Sequence, residues 1–126
     1  MKKELIQELF EKFELACNIY EGVECWSARE LQEILGYTKW ENFLKVIDKA
    51  KKACESSGIP VHDHFPDIRK MIDLGKGAQR EIIDVALTRY ACYLVAQNGD
   101  PAKSEVAFAQ TYFAVQTRKQ EMIEQR

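Results

Sequence analysis

No apolar stretch in this 126-residue chain approaches the roughly 20 residues that a membrane-crossing helix needs, so none is expected to span a bilayer. The opening Met1-Lys2-Lys3-Glu4-Leu5 is followed by neither an apolar region nor a small-residue cleavage site, which argues against a secretory signal and for a cytoplasmic protein. There is no excess of positive charge. Eighteen Lys and Arg face twenty Asp and Glu, for a net charge of −2. This argues against tight, sequence-independent binding to duplex DNA through bulk charge, although not against a local basic patch. The four cysteines, Cys17, Cys25, Cys54 and Cys92, form no C-x-x-C, so a zinc ribbon or a thioredoxin-like site has no support. Cys17, Cys54 and Cys92 sit beside apolar residues in helical patterns and read as buried, reduced thiols. No Ser/His/Asp order can be assembled, and Gly75-Lys76-Gly77 is too short for a phosphate-cradling loop and lacks the following Ser or Thr. Without a nucleophile–base set, a protein with no catalytic residues and no cofactor is expected.

What is present is enough for one core. Hydrophobic residues make up 46% and charged residues 30%, the balance of a single solvated domain over residues 1–126. Residues 3–20 show an amphipathic helical spacing through Ile6, Leu9, Phe10, Phe13, Cys17 and Tyr20, with Glu21-Gly22 as its stop. Residues 23–26 are short and extended. Ser27-Ala28-Arg29-Glu30 fits a capping box opening a short helix that Gly36 ends, and Thr38-Lys39-Trp40-Glu41 repeats the pattern for a helix running to about Ser56. Residues 65–74 and 79–85 alternate as two strands about a Gly-rich turn, a β-hairpin. Residues 87–97 return to helix, Asn98-Gly99 stops it, and Asp100-Pro101 is placed to cap the last helix towards Arg126. Residues 106–115 are apolar nearly all round and are expected to form the central core helix. Because the polar end of that helix meets no cap or breaker, a further C-terminal region is expected beyond this chain. The fold class is therefore α+β, mostly helical, with about five helices and one β-hairpin.

The helix pair 27–35 and 38–56 resembles a helix-turn-helix, in which a short helix braces a second one that reads a groove. Its reader positions would be Lys39, Asn42, Lys45 and Lys49. The match is imperfect, since Asn42 stands where the second helix should pack, unless the turn is one residue longer and Phe43 serves. A capped helix pair is also ordinary core architecture. Lys45, Lys49, Lys51 and Lys52 crowd a helix end, where cations complement the helix dipole. They would equally contact phosphates, joined by Arg69, Lys70, Lys76 and Arg80 of the hairpin. His62-Asp63-His64 places two imidazoles in a loop with no third ligand set by spacing, so surface histidines and no metal are expected. Asp63, Asp67, Asp73 and Asp84 lack the spacing of a metal-dependent nuclease.

Two stretches carry a family resemblance. They are Trp26-Ser-Ala-Arg-Glu-Leu-Gln-Glu-Ile-Leu-Gly-Tyr37 and Leu87-Thr-Arg-Tyr-Ala-Cys-Tyr-Leu-Val-Ala-Gln-Asn-Gly-Asp-Pro-Ala-Lys103, the latter continued by Phe108-Ala-Gln-Thr-Tyr-Phe-Ala114 and Gln116-Thr-Arg118. Together they resemble the DNA-damage-inducible protein D family over residues 26–120. More distantly, the order of elements is similar to the N-terminal domain of Bro proteins and phage antirepressors. The resemblance implies a Bro-N-like domain of a bacterial SOS-response protein, longer than this chain, acting on a RecA-type recombinase and its DNA filaments. It brings no catalytic motif. Two binding modes follow. In one, Lys39, Asn42, Lys45, Lys49, Lys52, Arg69, Lys70, Lys76 and Arg80 contact single- or double-stranded DNA. In the other, the domain binds protein: a recombinase filament, a repressor, or itself as a homo-oligomer.

Overall fold

A computed structural model describes residues 3–124. Helix α1 (Lys3–Ala16) buries Leu9 and Phe13, one turn apart, against the rest of the molecule. The chain then leaves the helix. Cys17–Tyr20 forms β1, which turns back through Glu21-Gly22 into β2 (Val23–Ser27). Glu21 and Gly22 have φ of +51° and +81°, and Tyr20 faces Val23, as in a two-residue hairpin whose twist suits the flanking strands. Helices α2 (Ala28–Ile34) and α3 (Trp40–Ser56) follow, then a single turn, α4 (Val61–His64). The long hairpin β3 (Asp67–Gly75) and β4 (Ala78–Thr88) leads into α5 (Arg89–Gln97) and α6 (Ser104–Glu124).

The expectation of about five helices and one hairpin is corrected. The described residues hold six helices and a curled, four-stranded antiparallel sheet. Its order is β1-β2-β4-β3. One added strand, β1, comes from the segment assigned to the first helix, and the other, β2, is the segment read as short and extended. Residues 17–20 lie more favourably as a strand because β2 offers them a ladder, and β2 itself pairs with the end of β4 at Cys25↔Thr88, Trp26↔Leu87 and Ser27↔Ala86. Residue 17 is therefore in a strand, not a helix, and β4 runs past the predicted strand end at residue 85.

Caps differ as well. Ser27 accepts the Glu30 N–H at 3.3 Å as the capping box requires. Glu30, however, sends its carboxylate to Lys70 rather than back to the cap. Helix α3 has Lys39 at its N-cap position and no side-chain cap bond, so the second capping box does not form. Asp100 instead closes a turn, accepting the Ala102 N–H at 3.0 Å, and α6 begins at Ser104.

The core lies where α1, α3, α5 and α6 meet the inner face of the sheet. Phe113 is fully buried, with Phe13 and Trp26 edge-on to it at 5.1 and 5.4 Å. The Trp26 indole N–H donates to the Phe13 carbonyl at 2.9 Å, tying the end of α1 to β2. Val106, Ala109, Tyr112 and Phe113 are buried but Val115 is exposed, so α6 buries one face and is not central all round. Beyond Asp84 the β3–β4 hairpin leaves the body. Residues 78–83 make an arm that projects about 20 Å at strand rise.

Candidate nucleic-acid interface

Helix α3 sorts its side chains by face. Phe43, Val46, Ile47, Ala50 and Cys54 are buried. Asn42, Lys45, Lys49 and Lys52 are exposed and fall within about 80° of arc on the opposite side. Glu41, Asp48 and Glu55 form a narrower acidic stripe beside them. None of the three lysines has a carboxylate within ion-pair distance among the described residues. Lys51 is half-buried and lies off this stripe. Phe43 is fully buried with its ring 5.2 Å from Tyr37 of the α2–α3 turn, and Asn42 faces outward, which is the geometry of the longer turn. Lys39 is exposed at the helix start.

The hairpin candidates are arranged differently. Cross-strand register puts Lys70 and Arg80 on one face of the arm, with Ile68, Ile72 and Ile82. Arg69 lies on the other face with Met71, Glu81 and Ile83. Arg69 is paired with Glu81, and Lys70 lies 3.5 Å from Glu30 of α2. Lys76, at φ +51°, occupies the tip of the turn, and neither it nor Arg80 has an ion-pair partner among the described residues.

Arm and helix are joined by a residue that the sequence reading passed over. The Arg29 guanidinium covers the Trp40 ring at 4.3 Å, and its Nε donates to the Ile83 carbonyl at 3.0 Å. Arg29 thus links the base of the arm to the first turn of α3. No spacing pattern could have found it, because the contact joins residues 54 apart in sequence. Trp40 sits roughly 120–180° around α3 from the three lysines. The lysine stripe therefore faces away from the edge on which the arm is anchored, and the structure does not merge the two sets into one continuous surface.

The acid and imidazole candidates resolve into separate roles. Asp84 is fully buried and accepts from the Ser27 hydroxyl, from the Arg29 N–H at 3.2 Å and from the Val85 N–H at 2.8 Å. Asp73 accepts the Gly75 N–H at 2.8 Å in the hairpin turn. His62 and His64 are on α4 rather than in a loop. His62 is exposed beside Asp63, whereas His64 is half-buried, 2.7 Å from the Thr88 hydroxyl and edge-on to Tyr90. Burial depresses the His64 pKa, a shift that Asp63 partly opposes. Among the described residues no group of three or more His, Cys, Asp or Glu side chains comes together at metal-binding distance.

The four cysteines are free thiols. Burial raises the pKa of every one, with Cys17 pushed up to about 11 and helped there by Glu24. A thiol held protonated is a poor nucleophile. Glu24 is itself held below its usual range, first by a hydrogen bond from Arg89 at 2.6 Å.

A curled sheet of four strands with a long projecting hairpin, backed by a helix pair and closed by two terminal helices, is the architecture on which these side chains are carried. Residues 16–114 match the family model described as the BRO family, N-terminal domain, and the chain belongs to that family. It is also 54% identical over 101 residues to DNA damage-inducible protein D of Escherichia coli (strain K12), an alignment covering 80% of this chain. The chain spans 37% of the length of that relative. No solved structure matches. No helix among the described residues is long and apolar enough to cross a membrane.

Proposed function

We propose that this domain is a non-catalytic DNA-binding module of a DNA-damage-response regulator, and that it holds the phosphate backbone along α3. The observation that carries this reading is the exposed stripe Asn42, Lys45, Lys49 and Lys52, whose lysines have no carboxylate partner among the described residues while Arg69, Lys70 and Arg89 elsewhere are paired. At helix rise the stripe covers about 15 Å, enough to follow several phosphates. With a net charge of −2, affinity has to come from such a local stripe, not from the field of the whole domain. Lys76 and Arg80 on the arm would add a second, weaker contact. The relative's name, DNA damage-inducible protein D, supports the biological setting.

Fluorescence anisotropy on single- and double-stranded oligonucleotides tests the reading. Three lysine–phosphate contacts predict roughly a 40-fold loss of duplex affinity between about 50 and about 200 mM salt. Replacing Lys45, Lys49 and Lys52 by Ala should abolish most of that salt dependence. Absence of binding at low salt, or a triple variant that binds like the parent, would sink the proposal.

A second reading has its own observation. Met71 and Ile83 are 55% and 66% exposed on one face of the arm, with Leu74 at 59% near its tip. An apolar ribbon face of this kind suits a protein partner, here a RecA-type recombinase filament. Co-sedimentation with a recombinase–DNA filament, lost on Ile83→Glu, distinguishes it from the first.

A further inference from the structure

The sheet has two open edges, and they are built differently. The β3 edge carries Asp67, Arg69, Lys70 and Asp73, and its register shifts between Asp73 and Gly75. Charge and irregularity are the usual devices that keep an exposed strand from pairing with another chain. The β1 edge has neither. Cys17-Asn18-Ile19-Tyr20 contains no charged residue and no proline, and its pairing with β2 runs without a shift. Exposed apolar side chains lie along it, Leu15 at 84% and Ile19 at 69%, with Tyr20 and Val23 beside them and the carboxylates of Glu21 and Glu24 flanking the turn. Among the described residues β1 has no strand neighbour other than β2.

We propose that β1 is a self-association edge, along which two copies of this chain pair antiparallel about a two-fold axis at Asn18. The register follows from the turn. Tyr20 and Val23 close a two-residue hairpin, and such a closing pair exchanges both backbone hydrogen bonds. Alternation then turns Tyr20 and Asn18 inward to β2. Ile19 is left with its N–H and C=O groups directed outward, and Cys17, whose N–H belongs to the last turn of α1, with its C=O. A two-fold axis at Asn18 sets Cys17 opposite the second copy's Ile19, and Ile19 opposite the second copy's Cys17, so that each outward Ile19 N–H finds a Cys17 carbonyl. Cys17 and Ile19 share a face of the sheet, so each half-buried thiol is covered by an isoleucine. Because the strand is uncharged, doubling it brings no like charges together. This is why a second copy, more than a peptide of different sequence, fits the edge. The product is a continuous eight-stranded sheet whose two remaining edges are both β3, so assembly closes at the dimer.

Sedimentation velocity on the whole chain across a concentration series tests the proposal. A monomer–dimer equilibrium in the micromolar range is expected. Ile19→Lys should raise the dissociation constant at least about tenfold by installing the charge that the edge omits. Ile19→Pro should do the same by deleting an outward N–H that no internal bond uses, with circular dichroism showing that both variants stay folded. Asn18→Cys, in a background where Cys17 and its cross-strand neighbour Cys25 are both Ser, should yield a disulfide-linked dimer on mild oxidation, since non-bonded antiparallel pairs approach to about 4.5 Å between Cα atoms. Met71→Cys on the other edge should not. A mass that stays monomeric to about 0.5 mM overturns the proposal. So does a dimer indifferent to both Ile19 variants, or equal cross-linking from Asn18→Cys and Met71→Cys.

Discussion

Asp84 shows how differently one residue reads in sequence and in space. Along the chain it is a polar position in an alternating strand and one acid among several scattered ones. In the fold it is a buried carboxylate that joins the β2–α2 junction to β4 by accepting from the Ser27 hydroxyl and the Arg29 N–H, and it also accepts from the Val85 N–H. Removing the carboxylate strands those donors in a site closed to water. Asp84→Ala should therefore cost about 3 kcal/mol or more, and a urea titration measures it. His64 makes a second residue-scale case. Its folded-state pKa lies below the ordinary value of 6.5 because burial disfavours the imidazolium. The unfolded chain then binds a proton more readily, so the stabilisation is present above about pH 6.5 and is lost as pH falls through the folded pKa. Thermal melts between about pH 7 and pH 5 should show this decline, and His64→Gln should flatten it.

At the scale of elements, helix spacing was legible and helix ends were not. The faces of α1, α3 and α5 follow the 3.6-residue period because each buries one side against a single core. The boundary at Ala16 escaped because the apolar spacing of Cys17 and Tyr20 continues the helical pattern in register, and only pairing with β2 overrides it. A signal was present in Glu21-Gly22, flanked by Asn-Ile-Tyr and Val-Glu-Cys, which is hairpin chemistry as much as a helix stop. The α2–α3 turn behaves the other way. Gly36 reads as a helix stop, and it has φ of +79°, with Glu105 of α6 2.9 Å from where a Cβ would stand. Gly36→Ala should cost about 1–2 kcal/mol from the left-handed backbone alone, the carboxylate being able to swing aside. A melt of this variant beside Gly58→Ala, which has equal φ strain in open space, separates the backbone cost from the contact.

For the whole molecule, the aromatic core welds both ends of the chain together. Phe113 and Tyr112 pack on Phe13, and Trp26 joins them at Phe113, while Tyr90 turns to His64 and Tyr93. Phe113→Ala empties the centre of that cluster and should destabilise the domain by about 3–5 kcal/mol. Loss of cooperativity with little change in midpoint would contradict this placement. The lysines of α3 were identifiable as an exposed stripe because a helix face is a local, periodic property. Whether they share a surface with Lys70, Lys76 and Arg80 was not, since that depends on how the arm leaves the sheet and on Arg29 holding its base to Trp40.

The amphipathic helices, the β3–β4 hairpin and the α3 basic stripe all follow from residue order, because each is set by neighbours within a few positions. Family membership was likewise legible, in the stretches around residues 26–37 and 87–103. The four-stranded sheet, the neutralisation of Arg69 by Glu81 and of Lys70 by Glu30, and the burial of Asp84 belong to contacts between distant segments. Those depend on which surfaces the core leaves adjacent, and no short-range pattern encodes that.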